Sequence, residues 1–149
     1  MTRFCVLFLL VALCLTAMAQ NAGAPAKIPA FSESDAADVL ARIRQGLEGY
    51  DKTAFLKLFD PRRMADYASF RDQISQFFDK YQSFVVHYQL QQVSTEAGAG
   101  IVLANFALEA APTQGAMPNL RRNVQLRLVM QWDGKGWKIV DVAPLGLFS

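Results

Sequence analysis

The stretch WDGKGWKIVDV, Trp132 to Val142, sets two tryptophans on either side of Asp133, Gly134, Lys135 and Gly136. Whether such a loop counts two residues or four, Trp132 stands opposite Trp137 on one face of an antiparallel pair, so the stretch reads as a hairpin. A Gly-Lys-Gly after a strand also resembles a phosphate cradle. No helix follows to offer its amides, and the turn is the reading that fits.

Upstream of this turn the apolar residues recur at every second position. Val124, Leu126, Leu128, Met130 and Trp132 share one side, against Asn123, Gln125, Arg127 and Gln131 on the other. That is the period of a half-buried strand. Val102, Ala104, Phe106, Leu108 and Ala110 alternate in the same way with Asn105 and Glu109, and Phe84, Val86, Tyr88 and Leu90 with His87, Gln89 and Gln91. The connections TEAGAG, PTQGAMPNL and DGKG allow successive strands to pair as antiparallel neighbours.

Before Ser83 the period is helical. Ser32 or Ser34 caps a first helix carrying Ala36, Leu40, Ile43 and Leu47, which ends near Gly49. Asp51 caps a second, with Phe55, Leu58 and Phe59 on one face, and Pro61 stops it at Asp60. Residues 62–68 read as a turn or a short helix. Ser69, with Asp72 three residues on, predicts the start of a third helix bearing Phe70, Ile74, Phe77, Phe78 and Tyr81. Helices followed by a meander sheet with one apolar face predict an α+β fold, N-terminal helices packed on a curved antiparallel sheet.

The first nineteen residues belong to another kind of segment. Arg3, the apolar run Phe4 to Leu15, and Ala17-Met18-Ala19 predict an export leader cleaved after Ala19. Residues 20–31, QNAGAPAKIPAF, then read as a flexible leader to a single domain over 32–149. A secreted or periplasmic location follows, with no membrane attachment after cleavage. Both cysteines, Cys5 and Cys14, fall within the leader, so the exported chain must hold itself together by packing alone. Roughly 130 residues suffice for an ordinary core.

The whole chain has 15 Lys and Arg against 13 Asp and Glu, a formal charge of +2, and loss of the leader removes Arg3. The basic doublets Arg62-Arg63 and Arg121-Arg122 stand beside turns without interleaved aromatics, and read as solvated charge. A nucleic-acid surface needs a concentrated positive footprint that this sequence lacks. One His and no cysteine past the leader argue against a tight transition-metal site, and no cofactor motif is present. No Gly-x-Ser-x-Gly elbow occurs.

The text GLEGYDKTAFLKLF, the aromatic helix FRDQISQFFDKY and the closing hairpin WDGKGWKIVDVAP resemble the nuclear transport factor 2-like superfamily, with its SnoaL-like and ketosteroid isomerase-like branches. The resemblance spans roughly Glu33 to Phe148. It implies a cone, a curved sheet wrapped around helices, with a cavity at the wide end. It also implies frequent pairing through the outer sheet face. The isomerase-like branch implies a carboxylate base in that cavity, and no residue of the three helices or the first three strands matches it.

One carboxylate stays in play. Counted back from Trp132 and Trp137, the register sets Met130 against Ile139 and Leu128 against Asp141, which aims Asp141 at the helices. Desolvation there raises a carboxyl pKa, and Asp141 would act as a general base with Tyr88, Tyr67 or Tyr50 as donor. The opposing expectation is a solvated or arginine-paired Asp141 at a strand end, and a bulge in the last strand would reverse its direction. His87, among glutamines, reads as an outward-facing histidine.

The expected pocket lining is Tyr50, Tyr67, Phe77, Tyr88, Phe106, Leu128, Met130 and Trp132, packed as core at the narrow end and open near the mouth. Met117 and the tail residues Leu145, Leu147 and Phe148 are candidate lips. These features predict a non-catalytic binding module for a small hydrophobic ligand or a protein partner. The alternatives are a small isomerase or dehydratase-like enzyme using Asp141 with Tyr88, and a homodimeric assembly subunit working through the outer sheet face.

Overall fold

The computed structural model describes Gly23 and residues 27–149. The predicted leader, residues 1–19, and most of the linker lie outside the described residues. Among the described residues no helix is long and apolar enough to cross a membrane.

Helix α1 (Glu33–Glu48) begins with a complete capping box. The Ser32 hydroxyl accepts from the Asp35 amide at 3.2 Å, and the Asp35 carboxylate accepts from the Ser32 amide at 2.9 Å. Its stripe of Ala36, Leu40, Ile43 and Leu47 is buried. Helix α2 (Lys52–Leu56) is capped by Asp51, which accepts from the Ala54 amide at 2.8 Å. Helix α3 (Tyr67–Lys80) starts before the expected cap at Ser69. Asp66 turns the chain with a φ of +52°, and its carbonyl accepts the first helical bond, from Phe70. The aromatic stripe of α3 is buried as its spacing predicts.

Strands β1 (Tyr81–Glu96), β2 (Ala99–Pro112), β3 (Leu120–Trp132) and β4 (Trp137–Ala143) form one antiparallel sheet in the order 1-2-3-4. The fold is therefore α+β. The inward series Val102, Ala104, Phe106, Leu108 of β2 and Leu126, Leu128, Met130 of β3 is buried against the helices, while Asn105 and Gln125 are exposed. Beyond α2, Leu58 and Asp60 bond to both sides of Ile139, at 2.8 and 2.9 Å, so this segment covers the free edge of β4.

The hairpin that opened the reading is held by Asp133. Its Oδ1 accepts from the amides of Lys135 and Gly136, each at 2.8 Å, and its own amide donates to the Gly136 carbonyl at 3.0 Å. Gly134 takes a φ of +99°, where a side chain would be strained. Trp132 faces Trp137, with ring centroids 5.7 Å apart.

Two further corrections concern the ends of the domain. The packed part begins at Phe31 rather than Ser32: this ring is buried, lies 4.8 Å from that of Trp137, and covers Gly100. A Cβ at Gly100 would stand 2.3 Å from the Phe31 ring, which explains a glycine inside β2. At the other end, the 3-10 turn Leu145–Phe148 folds back into the helical layer. Leu147 and Phe148, expected as lips, are buried, and the Phe148 ring lies 5.4 Å from Phe55 and 5.9 Å from Phe77. Gln73 holds the turn by donating to the carbonyls of Leu145 and Phe148 at 2.9 and 3.3 Å.

Candidate functional site

The eight residues expected to line one pocket are divided among several places. Phe77, Phe106, Leu128 and Met130 are 1, 1, 0 and 0 % exposed and sit in one continuous hydrophobic core. The space that the cone resemblance implies as a cavity is filled at these residues, with Phe148 packed on Phe77. Tyr50 is half exposed beside Phe78 and Phe84, and its hydroxyl donates to the Phe78 carbonyl. Tyr88 is half-buried, with the Arg44 guanidinium 5.6 Å from its ring centre. Trp132 stands at the hairpin end, and Tyr67 at the start of α3.

Asp141 points away from the helices. The ladder runs from Trp132–Trp137 to Met130–Ile139 as expected, and then slips: Val129 faces Asp141 and Leu128 faces Val142. Val140 is the extra residue, and a bulge of one residue exchanges the two faces of everything beyond it. Val142 occupies the inward place, while Asp141 lies 3.6 Å from Arg127, the pair being 60 % and 43 % exposed. An acid-base couple between Asp141 and Tyr88 does not form, because the two project from opposite faces of the sheet. His87 lies on the outer face, where it borders a shallow trough of about 460 Å³ floored by Ala107 and rimmed by Gln89, Asn105, Asn123 and Gln125.

The chemistry that sequence reasoning missed is gathered around Asp60, the buried charged side chain of the described residues at 8 % exposure. Pro61 turns the chain after α2, and Asp60 Oδ1 accepts from the amides of Arg62 and Arg63 at 2.9 and 3.3 Å. Its Oδ2 lies 3.7 Å from the Arg63 guanidinium, which also donates to the Trp132 carbonyl at 2.8 Å. This clasp ties the turn after α2 to the β3–β4 hairpin. Asp-Pro ahead of an arginine doublet was the available signal.

Between those two elements runs a groove of about 540 Å³. Leu56, Phe59, Pro61 and Tyr67 supply its apolar wall; Lys57, Arg62, Arg63 and Lys138 its cations; Asp60 and Asp133 its acids. Lys138 is fixed by donating to the Lys57 carbonyl at 2.6 Å. The amides of Lys135 and Gly136 hold the Asp133 carboxyl below the usual carboxylate range, so it is charged at neutral pH. The groove has the size and the mixed lining of a small-molecule site. Among the described residues no three His, Cys, Asp or Glu side chains gather to hold a metal ion.

No protein-family model matches the chain, and no curated protein matches it. Solved structures do. A nuclear transport factor 2-like superfamily protein from Salmonella enterica serovar Typhimurium superposes with a TM-score of 0.61 at 11 % identity, over 70 % of this chain and 83 % of that one. A protein of the same family from Streptomyces avermitilis, assigned as a dehydratase, gives 0.58 at 11 % identity, over 73 % and 92 %. The intermembrane space region of the chloroplast protein ARC6 gives 0.51 at 16 % identity, over 77 % and 97 %. The chain has the nuclear transport factor 2-like fold. At such identities the likeness establishes the fold alone, and one fold carries many functions.

Proposed function

We propose that this chain is an exported, non-catalytic binding module whose binding surface is the groove between α2, the Pro61 turn and the β3–β4 hairpin. The observation that carries this reading is the contrast of lining. The inward faces of helices and sheet are hydrocarbon packed on hydrocarbon, and the carboxylate proposed as a base lies on the outer face beside Arg127. General acid-base work needs a positioned group within reach of the substrate, and among the described residues the hydrophobic core holds no carboxylate or histidine. The groove has apolar walls, fixed charges and room for a ligand.

Native mass spectrometry of the protein isolated from its own host tests the proposal. The expected spectrum contains a retained small guest or a co-isolated partner, which is lost when Lys57 and Arg62 are both replaced by glutamate. A guest retained equally by that variant and by wild type would contradict the groove as the binding surface.

A further inference from the structure

We infer that the groove takes a small organic anion, an acid group carried on a flat apolar body. The inference rests on the groove being the binding surface proposed above, and it adds the class of ligand.

The first support is that the charges of the groove's acids are already balanced by the protein's own amides and cations. Asp60 spends one carboxylate oxygen on two amides and places the other 3.7 Å from Arg63. Asp133 receives two amides at 2.8 Å. Asp60 is thereby paired with Arg63, and the second oxygen of Asp133, which takes no hydrogen bond among the described residues, lies in the field of Lys138 and Lys135, so neither acid leaves an unbalanced negative charge for a cationic guest.

The cations are only half committed. Arg63 is spent on Asp60 and the Trp132 carbonyl, and Lys138 on the Lys57 carbonyl. The ammonium of Lys57 and the guanidinium of Arg62 make no hydrogen bond or ion pair with any described residue, yet both border the groove. Four basic side chains against two acidic ones leave a positive excess there, on a protein whose overall charge is close to balanced. A fixed excess of one sign in a partly desolvated cleft attracts the opposite ion, and a guanidinium matches a carboxylate or phosphate with two parallel hydrogen bonds.

The third support is the wall. Leu56, Pro61 and Tyr67 line the same groove, so a ligand that is an ion alone would leave them uncovered. An apolar body laid on them gains burial as its acid group reaches Lys57 and Arg62.

The test compares three probes by amide-resolved NMR titration: 2-naphthoate, its neutral methyl ester, and inorganic sulfate. Naphthoate is expected to shift the amides of Thr53, Arg62, Tyr67 and Lys138, and to bind about tenfold more weakly to the Lys57→Ala, Arg62→Ala double variant. Its affinity falls as salt is raised. The double variant keeps the wild-type Tm, because neither side chain has a partner to lose. If the ester binds in the groove as tightly as naphthoate, the anion assignment fails while the groove stands. Sulfate binding as tightly as naphthoate would remove the apolar body from the proposal. If none of the three perturbs groove amides, both the ligand class and the groove as binding surface fall.

Discussion

The interior of the cone and the groove beside Pro61 share one stretch of chain, Phe55 to Asp60, and treat it in opposite ways. Phe55 and Phe59 enter the core, where Phe55 meets Phe148 and Phe59 meets Phe70 at a ring separation of 4.6 Å. Leu56, Lys57 and Asp60 border the groove, with Phe59 at its base. On the inner side both rings belong to one continuous hydrophobic core. On the outer side the two acids are outnumbered by four basic side chains, and two of those cations are unpaired among the described residues. In this chain the tail fills the space between Phe55 and Phe77, and the groove proposed as the binding surface lies outside the sheet-and-helix core.

The largest expected effect comes from emptying the interior. Phe148→Ala removes a ring packed between Phe55 and Phe77, and chemical denaturation should show a loss of about 3–5 kcal/mol. The void left behind would be lined by aromatic rings and stay dry, so the variant should also take up a small apolar guest that the wild type refuses. A loss below about 1 kcal/mol would mean that the tail merely rests on the surface.

Next comes the clasp that shapes the groove. Asp60→Ala strands two amides and the Arg63 guanidinium, and should cost about 1–3 kcal/mol. Hydrogen exchange at the Arg62 and Arg63 amides should quicken before the core does. Unchanged exchange there would show that Asp60 does not hold the turn.

A smaller effect, confined to acid, belongs to Asp133. Its folded-state pKa lies below the ordinary value of 3.8, so its contribution is complete above that pH and disappears as pH falls through the folded value. The β3–β4 hairpin should therefore loosen only below about pH 4, and Asp133→Asn should abolish that pH dependence while lowering Tm at neutral pH. A variant with the wild-type acid profile would contradict the assignment. Smallest of all is Asp141→Ala, which breaks an exposed pair with Arg127 and should change stability by less than about 1 kcal/mol. A loss of several kcal/mol would put Asp141 back inside.

Much of the fold was legible because periodicity records which face is buried. The stripe Ala36, Leu40, Ile43, Leu47 and the alternation through Leu126, Leu128 and Met130 name their own partners, and the Trp132–Trp137 pair follows from the turn. The register of Asp141 was not legible, although the expected solvated, arginine-paired aspartate is what the structure holds. A bulge needs no distinctive residue, and Ile139 and Val140 are both apolar, so unbroken alternation from Trp137 carries Asp141 inward. The fate of Leu147 and Phe148 was hidden for another reason: a four-residue apolar tail has no period to read, and only the three-dimensional gap between Phe55 and Phe77 decides that it turns inward. Asp60 and its groove depend on contacts spanning 69 residues, from Arg63 to Trp132, and 81 residues, from Lys57 to Lys138, which local spacing does not encode.

Xenon binding under pressure, read in a crystal or by methyl NMR, addresses the division between sealed interior and open groove most directly. The wild-type protein should show no xenon among Phe77, Phe106, Leu128 and Met130, and Phe148→Ala should show one atom there. Xenon bound at those residues in the wild type would reveal a standing internal cavity, and the account of a cone filled by its own side chains would be wrong.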